Sequence, residues 1–400
     1  MASGRFDKPG RMKRMGKEDR SVVALVKGSN PRDSIEEAFQ WLGGVGSFIR
    51  PGDRVLIKAN AAAPVPPSVR PEVTDPELIA AVVGVLKDAG ASKVIVGDDA
   101  IWHVKTRDSF RGSGMEEAVL KAGGEVCCFD EQPRVIESVP NCSVFDKISL
   151  PRIVKEVDRI VNVPKMKTSF IAVVTLGVKN HFGYLSFEDR LKFHRMADLA
   201  YVLSDILKII KTDLTIIDGI VAMEGYGPHG GTAKRMDTVV AGRDVVAVDA
   251  VATTIMGIDP FEPPSTQVAA VEGLGKANLS DIEVVGVSID EVKQHFERAF
   301  IKYVSPHPNV KVIAGGICPG CAPRIVAAPP EPEPNRKYAV IIGSRAPILR
   351  PLDADEVWCI GRCGIESAQT SKKFLRGIAK ENVKIIPGCP PLRWYAKQVI

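Results

Sequence analysis

Cys318 and Cys321 form a C-P-G-C pair, Cys363 sits in G-R-C-G, and Cys389 sits in P-G-C-P-P. Thiolates are soft metal ligands, and four of them can hold a [4Fe–4S] cluster or a tetrahedral zinc ion. The surrounding glycines and prolines make tight loops whose backbone N–H groups can point at sulfur, which suits the sulfides of a cluster. Zinc more often uses two paired C-x-x-C units, and only one is present. Thiol redox chemistry without a metal is a third reading. Cys359, beside Trp358 in an apolar run, is a fifth candidate ligand whose position reads as a buried strand. Cys127, Cys128 and Cys142 read as packing residues.

A second set of reactive types is basic. The run N-V-P-K-M-K-T, residues 162–168, follows an apolar strand pattern and places Lys165, Lys167 and Thr168 on the loop at its carboxyl end. In T-L-G-V-K-N-H-F-G, residues 175–183, Thr175 is a candidate N-cap, so a helix N-terminus with free N–H donors is expected near Lys179 and Asn180. Arg190 and His194 follow. Lysines beside a helix N-terminus make an anion site. Lys58 and Asn60 close another strand pattern, and Asp98 and Asp99 a third. Residues 218–231 read as a glycine-rich loop in which Gly225 and Gly227 let backbone approach a ligand, while Asp218 and Glu224 offer carboxylates for proton transfer. The loop is not a G-x-G-x-x-G turn opening a helix, and there is no Walker A run, so a nucleotide fingerprint is unsupported. His103, His229, His295 and His307 lack metal-like spacing and are given no role.

Positioning these residues requires strand ends that share one edge. Strand-like and helix-periodic segments alternate from residue 20 to 130: Val22–Lys27, a helix from Ser34 with Ser34 and Glu37 as its capping signal, Arg54–Ala59, a helix over Asp75–Asp88 with Pro76 in its first turn, Lys93–Gly97, a helix over Gly114–Ala122, and Glu125–Phe129. Arg159–Val163, Leu214–Ile217 and Ile282–Val287 extend the strand set, with helices over Ala197–Ile210 and Val245–Met256. The order implies an α/β fold, a mostly parallel sheet flanked by helices, whose strand carboxyl ends gather ligand-binding loops. A small α/β unit carrying the cysteines follows, with strands Val310–Ala314, Tyr338–Ile342, Glu356–Cys359 and Val383–Ile386 and helices over Ser367–Ala379 and Leu392–Val399. The expected division is a basic, flexible N-terminus over 1–20, a body over 21–300 that could split into two lobes near 150, and a cysteine-bearing unit over 301–400.

Composition sets the outer bounds. The chain has 400 residues, 45% hydrophobic and 25% charged, an ordinary profile for a soluble globular protein. Its 53 Lys+Arg against 48 Asp+Glu give +5, too mild for a nucleic-acid reading. The apolar runs are strand-sized and the N-terminus is polar, which argues against a membrane span or signal peptide and for a cytoplasmic location. Eight cysteines in such a chain point to metal or redox chemistry rather than disulfides.

Seven ordered segments add a resemblance: V-L-I-K-A-N (55–60), T-D-P-E-L-I (74–79), A-G-A-S-K-V-I-V-G-D (89–98), V-N-V-P-K-M-K-T (161–168), V-T-L-G-V-K-N-H-F-G (174–183), A-M-E-G-Y-G-P (222–228) and A-G-R-D-V-V-A-V-D-A-V-A (241–252). Together they resemble the family catalogued as domain of unknown function 362 (DUF362), common in anaerobes, over roughly residues 20–290. The resemblance implies the fold and an associated iron–sulfur module, but no settled reaction. This chain has Ala59 where the family usually has proline and Ser169 where it often has histidine, and dispersed cysteines replace a ferredoxin-like run.

The first functional expectation is an iron–sulfur oxidoreductase of anaerobic metabolism acting on a small anionic substrate. Lys165, Lys167, His194, Glu224 and Asp218 are its candidate catalytic groups. Lys58, Asn60, Thr168, Lys179, Asn180, Arg190, Gly225 and Gly227 are candidate substrate ligands. Cys318, Cys321, Cys363 and Cys389 are candidate ligands for [4Fe–4S]. A non-redox isomerase or lyase with structural zinc is the alternative, and a non-catalytic electron carrier or cofactor-assembly factor a third. An electron-donor protein is an expected partner of the redox reading.

Overall fold

The computed structural model describes residues 20–298 apart from 102–103, 170–171 and 191–198, together with 307–314, 332–343, 352–370, 375 and 378–386. The expected N-terminal tail, His194, Cys318, Cys321, Cys389 and the expected last helix therefore lie outside the described residues, Arg20 alone of the tail excepted.

The main sheet has ten strands: β1 (Ser21–Lys27), β2 (Arg54–Lys58), β3 (Lys93–Asp98), β4 (Glu125–Cys128), β7 (Arg159–Asn162), β8 (Lys165–Ser169), β9 (Val173–Thr175), β10 (Leu214–Glu224), β11 (Thr232–Gly242) and β12 (Ile282–Gly286). A separate hairpin pairs β5 (Arg134–Ser138) with β6 (Lys147–Pro151). The order is β12-β1-β11-β10-β7-β2-β3-β4, with β8 and β9 continuing beyond β7 alongside β10. β11 runs antiparallel to both its neighbours, and every pairing among β2, β3, β4, β7 and β10 is parallel. Strands from both sides of residue 150 pair directly, β2 with β7, so residue 150 marks no boundary in the sheet.

Side-chain alternation builds two cores. Val23, Leu25, Leu56 and Ile95 face one, and Ala24, Val26, Val55, Ile57, Val94 and Val96 face the other. Helices α1 (Pro31–Trp41), α2 (Pro76–Asp88), α3 (Thr106–Gly112) and α4 (Met115–Lys121) cover the second face. α5 (Gly177–Asn180), α6 (Leu199–Ile209), α7 (Val245–Ile255) and α8 (Pro264–Val271) cover the first. With both faces buried, strands read as near-continuous apolar runs, which is how they were legible. α2 starts as its sequence implies, with Asp75 accepting the Glu77 N–H and Pro76 in the first turn. α1 starts earlier than expected: Asn30 caps it by accepting from Arg32 and Asp33 N–H, and Ser34 is buried inside the helix.

The C-terminal strands β13 (Val310–Ala314), β14 (Tyr338–Ile342), β15 (Glu356–Ile360) and β16 (Val383–Ile386) form a parallel four-stranded sheet in chain order. Its helix, α9 (Gly361–Thr370), begins directly after β15 rather than at Ser367. Cys363 consequently stands in a first helical turn, not in a loop.

Candidate functional site

The carboxyl edge of β2, β3 and β7 is lined by charge. Lys58 ends β2 beside Gly97 of β3 and Asn162 of β7. Its ammonium lies 2.5 Å from Asp98 with both side chains almost fully buried. Burial pulls the Lys58 ammonium below its ordinary range, and Asp98 pulls back. Arg190 pairs with Asp99 at 2.6 Å, again buried, and burial pushes the Asp99 carboxyl up to about 6.

Lys165 and Lys167 depart from the loop position expected of them. After Pro164 the chain resumes as β8, all of it buried, with Lys165 opposite Asp218 and Lys167 opposite Met223 of β10. The physical reason is β10 itself. It extends from Leu214 to Glu224 through a bulge between Gly219 and Val221, well beyond the expected Leu214–Ile217, and gives β8 backbone to pair with. Asp218 is therefore a strand residue. It pairs with Lys165 at 2.8 Å, both fully buried, and accepts the Asp75 N–H.

Lys167 is different. Its ammonium donates to Asn60 Oδ1 at 3.1 Å and to the Glu72 carbonyl at 2.6 Å, both neutral oxygens. Lys179 donates to the Ser169 and Thr175 hydroxyls, each at 3.0 Å. No carboxylate pairs with either among the described residues. Burial, then the nearby Lys179 charge, brings Lys167 down to about 7. Desolvation brings Lys179 down to about 8.

Three amides tie these lysines to the sheet. Asn60 donates to Asn180 Oδ1, Asn180 donates to Asn162 Oδ1 at 2.8 Å, and Asn162 donates to the Gly177 carbonyl. Asn180 comes from α5, whose N-terminus was expected to serve the ligand. Instead, the chain's own Asp249 from α7 accepts the Gly177 and Val178 N–H groups, and burial pushes Asp249 up to about 7. Thr175 ends β9 and holds Lys179 rather than capping the helix.

The hairpin loop between β10 and β11 folds onto β8. Thr168 Oγ1 donates to the Gly225 carbonyl, and Gly227 lies so close to the Thr168 carbonyl that a Cβ there would collide with it. Glu224 is taken up elsewhere, by Lys234 at 3.0 Å and by the Glu297 N–H. His229, given no role from spacing, places Nδ1 3.0 Å from Glu72 Oε2, and the Gly230 N–H donates to the same carboxylate. Glu72 is buried, with Arg70 at 3.2 Å. Nothing local in the Pro-rich stretch before Glu72 marks it. Only the fold brings it to His229.

Of the candidate metal ligands, Cys359 and Cys363 are among the described residues. Cys359 is packed in the apolar cluster with Ile313, Ile341 and Ala368, and burial pushes its thiol up to about 11. Cys363 is partly exposed in the first turn of α9, just after the carboxyl end of β15.

A helix-flanked, mostly parallel sheet with buried lysines, amides and carboxylates at its strand ends defines an α/β protein with a polar cluster at the carboxyl edge. A family profile described as domain of unknown function (DUF362) matches residues 55–254, half of the 400-residue chain. The "Thylakoid-associated protein sll1697" of Synechocystis sp. (strain ATCC 27184 / PCC 6803 / Kazusa) is 32% identical over 247 residues, 60% of this chain and 74% of that protein. The chain belongs to the DUF362 family. Among solved structures, the lactate racemase apoprotein from Thermoanaerobacterium thermosaccharolyticum aligns with a TM-score of 0.34 and 13% identity, over 63% of this chain and 60% of that one, a likeness too slight to bear on fold or activity. No described helix is long and apolar enough to cross a membrane.

Proposed function

We propose that the chain is an enzyme that takes a small anionic substrate at the carboxyl edge of its sheet, with Lys167 and Lys179 as the anion's ligands. One observation carries this. Lys58, Lys165 and Arg190 are each paired with a carboxylate of the chain, whereas among the described residues Lys167 and Lys179 hydrogen-bond only to neutral oxygens. Desolvating an unmatched cation costs several kcal/mol, so neighbouring unmatched lysines favour a ligand that brings negative charge. Lys167, held at about 7, exchanges a proton readily at neutral pH, which supports acid–base chemistry of the isomerase or lyase kind.

The redox reading is second, supported by the placement of Cys363. Cys318, Cys321, Cys363 and Cys389 would hold a [4Fe–4S] cluster, with zinc as the alternative occupant. A bound cluster would supply electron transfer or Lewis acidity, and a protein electron donor would serve it.

The test of the anion site uses acetate as a minimal carboxylate. Calorimetry should show acetate binding to the full chain, lost in Lys167→Met and in Lys179→Met and kept in the control Lys87→Met on α2. Equal binding in all four proteins, or none in the unaltered chain, rejects the reading.

A further inference from the structure

Glu72 and His229 lie 157 residues apart and meet at 3.0 Å through Oε2 and Nδ1. Glu72 sits in an irregular segment after β2, where a buried carboxylate is costly unless its lone pairs are used. They are used: Arg70, His229 and the Gly230 N–H all address it. The Glu72 backbone carbonyl also accepts the Lys167 ammonium. One residue thus couples the unmatched lysine to the imidazole.

We infer that His229, oriented by Glu72, is a proton-transfer group of the anion site. This deepens the anion reading above and rests on it. With Nδ1–H donated to the carboxylate, the neutral ring presents Nε2 as a lone-pair acceptor, the arrangement a general base requires. A proton leaving the bound molecule goes to Nε2 and forms an imidazolium, which Glu72 stabilises. The same proton returns to the molecule or passes to solvent, so the group ends as it began. The charged groups that face His229 are Glu72 and Arg70 from the segment after β2, Lys167 from β8 and Lys179 from α5. Burial and the two lysines hold the free imidazole below its ordinary range, hence neutral at pH 7. An anion seated on those lysines cancels their field and raises the basicity of Nε2, so the neutral ring takes a proton from the bound molecule more readily.

Imidazole NMR on the full chain with 15N-labelled histidine tests this, with His229→Gln identifying its signals among the six histidines. Without acetate, His229 should show the Nδ1–H tautomer. Acetate, against sodium chloride at equal ionic strength, should raise its titration by about one pH unit, as expected for a nearby opposite charge. The rise should vanish in Lys167→Met. Glu72→Gln should lower the titration, because the stabilising carboxylate is gone. If acetate perturbs the 13C-labelled lysine signals while His229 stays unmoved, or if Glu72→Gln leaves His229 unchanged, the dyad only fastens the loop and the inference fails. If acetate perturbs neither the lysines nor His229, the anion reading fails and takes this inference with it.

Discussion

Lys167 carries two opposed pH dependences. In the unfolded chain its ammonium titrates near the ordinary lysine value of 10.5, and in the folded chain near 7. Between those values the unfolded state holds a proton that the native state lacks, so stability rises with pH across that window. Anion affinity runs the other way, since the ligand needs the charged form. Acetate binding should weaken by up to about tenfold per pH unit above 7, read by calorimetry. Lys165 should behave as a structural charge. Breaking its pair with Lys165→Met leaves Asp218 buried alone and should cost about 3–5 kcal/mol in urea denaturation. Lys165→Met combined with Asp218→Asn should cost less than Lys165→Met alone, because no unmatched charge remains.

At the level of elements, the site depends on how closely neighbours pack. Gly183, just after α5, faces the Lys58–Asp98 pair, and a Cβ built there falls 2.7 Å from the Lys58 ammonium as well as against Asp98. Gly183→Ala should therefore force the pair apart, lowering stability by about 1–3 kcal/mol as overpacking does. Differential scanning calorimetry would show it as a lower Tm. Asp249→Ala should also destabilise, by about 0.5–2 kcal/mol for a lost N-terminal cap, because the Gly177 and Val178 N–H groups lose their acceptor. Acetate binding should weaken with it, since α5 supplies both Lys179 and Asn180.

For the whole molecule, the proposed cluster on the C-terminal cysteines has a test of its own. Protein purified without oxygen should contain iron and acid-labile sulfide, and its colour should bleach with dithionite. Cys363→Ser should lose most of the iron. Cys359→Val should retain it, since Cys359 lies in the apolar cluster of β15 and α9. A colourless protein with one zinc would reject the cluster, and unchanged iron in Cys363→Ser would remove that residue from the ligand set. These outcomes leave the lysine site untouched, because its ligands come from strands and helices of the main sheet.

The sequence by itself determined the alternation of strands and helices, the α/β class, the family, and the set of residues able to do chemistry. Apolar periodicity reports which segments bury two faces, and seven ordered segments fix a family more firmly than any single motif. Periodicity does not report neighbours. The pairing of Lys58 with Asp98, and of Lys165 with Asp218, follows from crossovers and register between residues far apart in the chain. The same is true of Asp249 filling the α5 N-terminus and of Glu72 turning His229 from an unremarkable histidine into an oriented one. Only the tertiary structure decided which lysines pair with carboxylates and which hydrogen-bond to neutral oxygens, because that balance is a property of distances and burial, not of residue type.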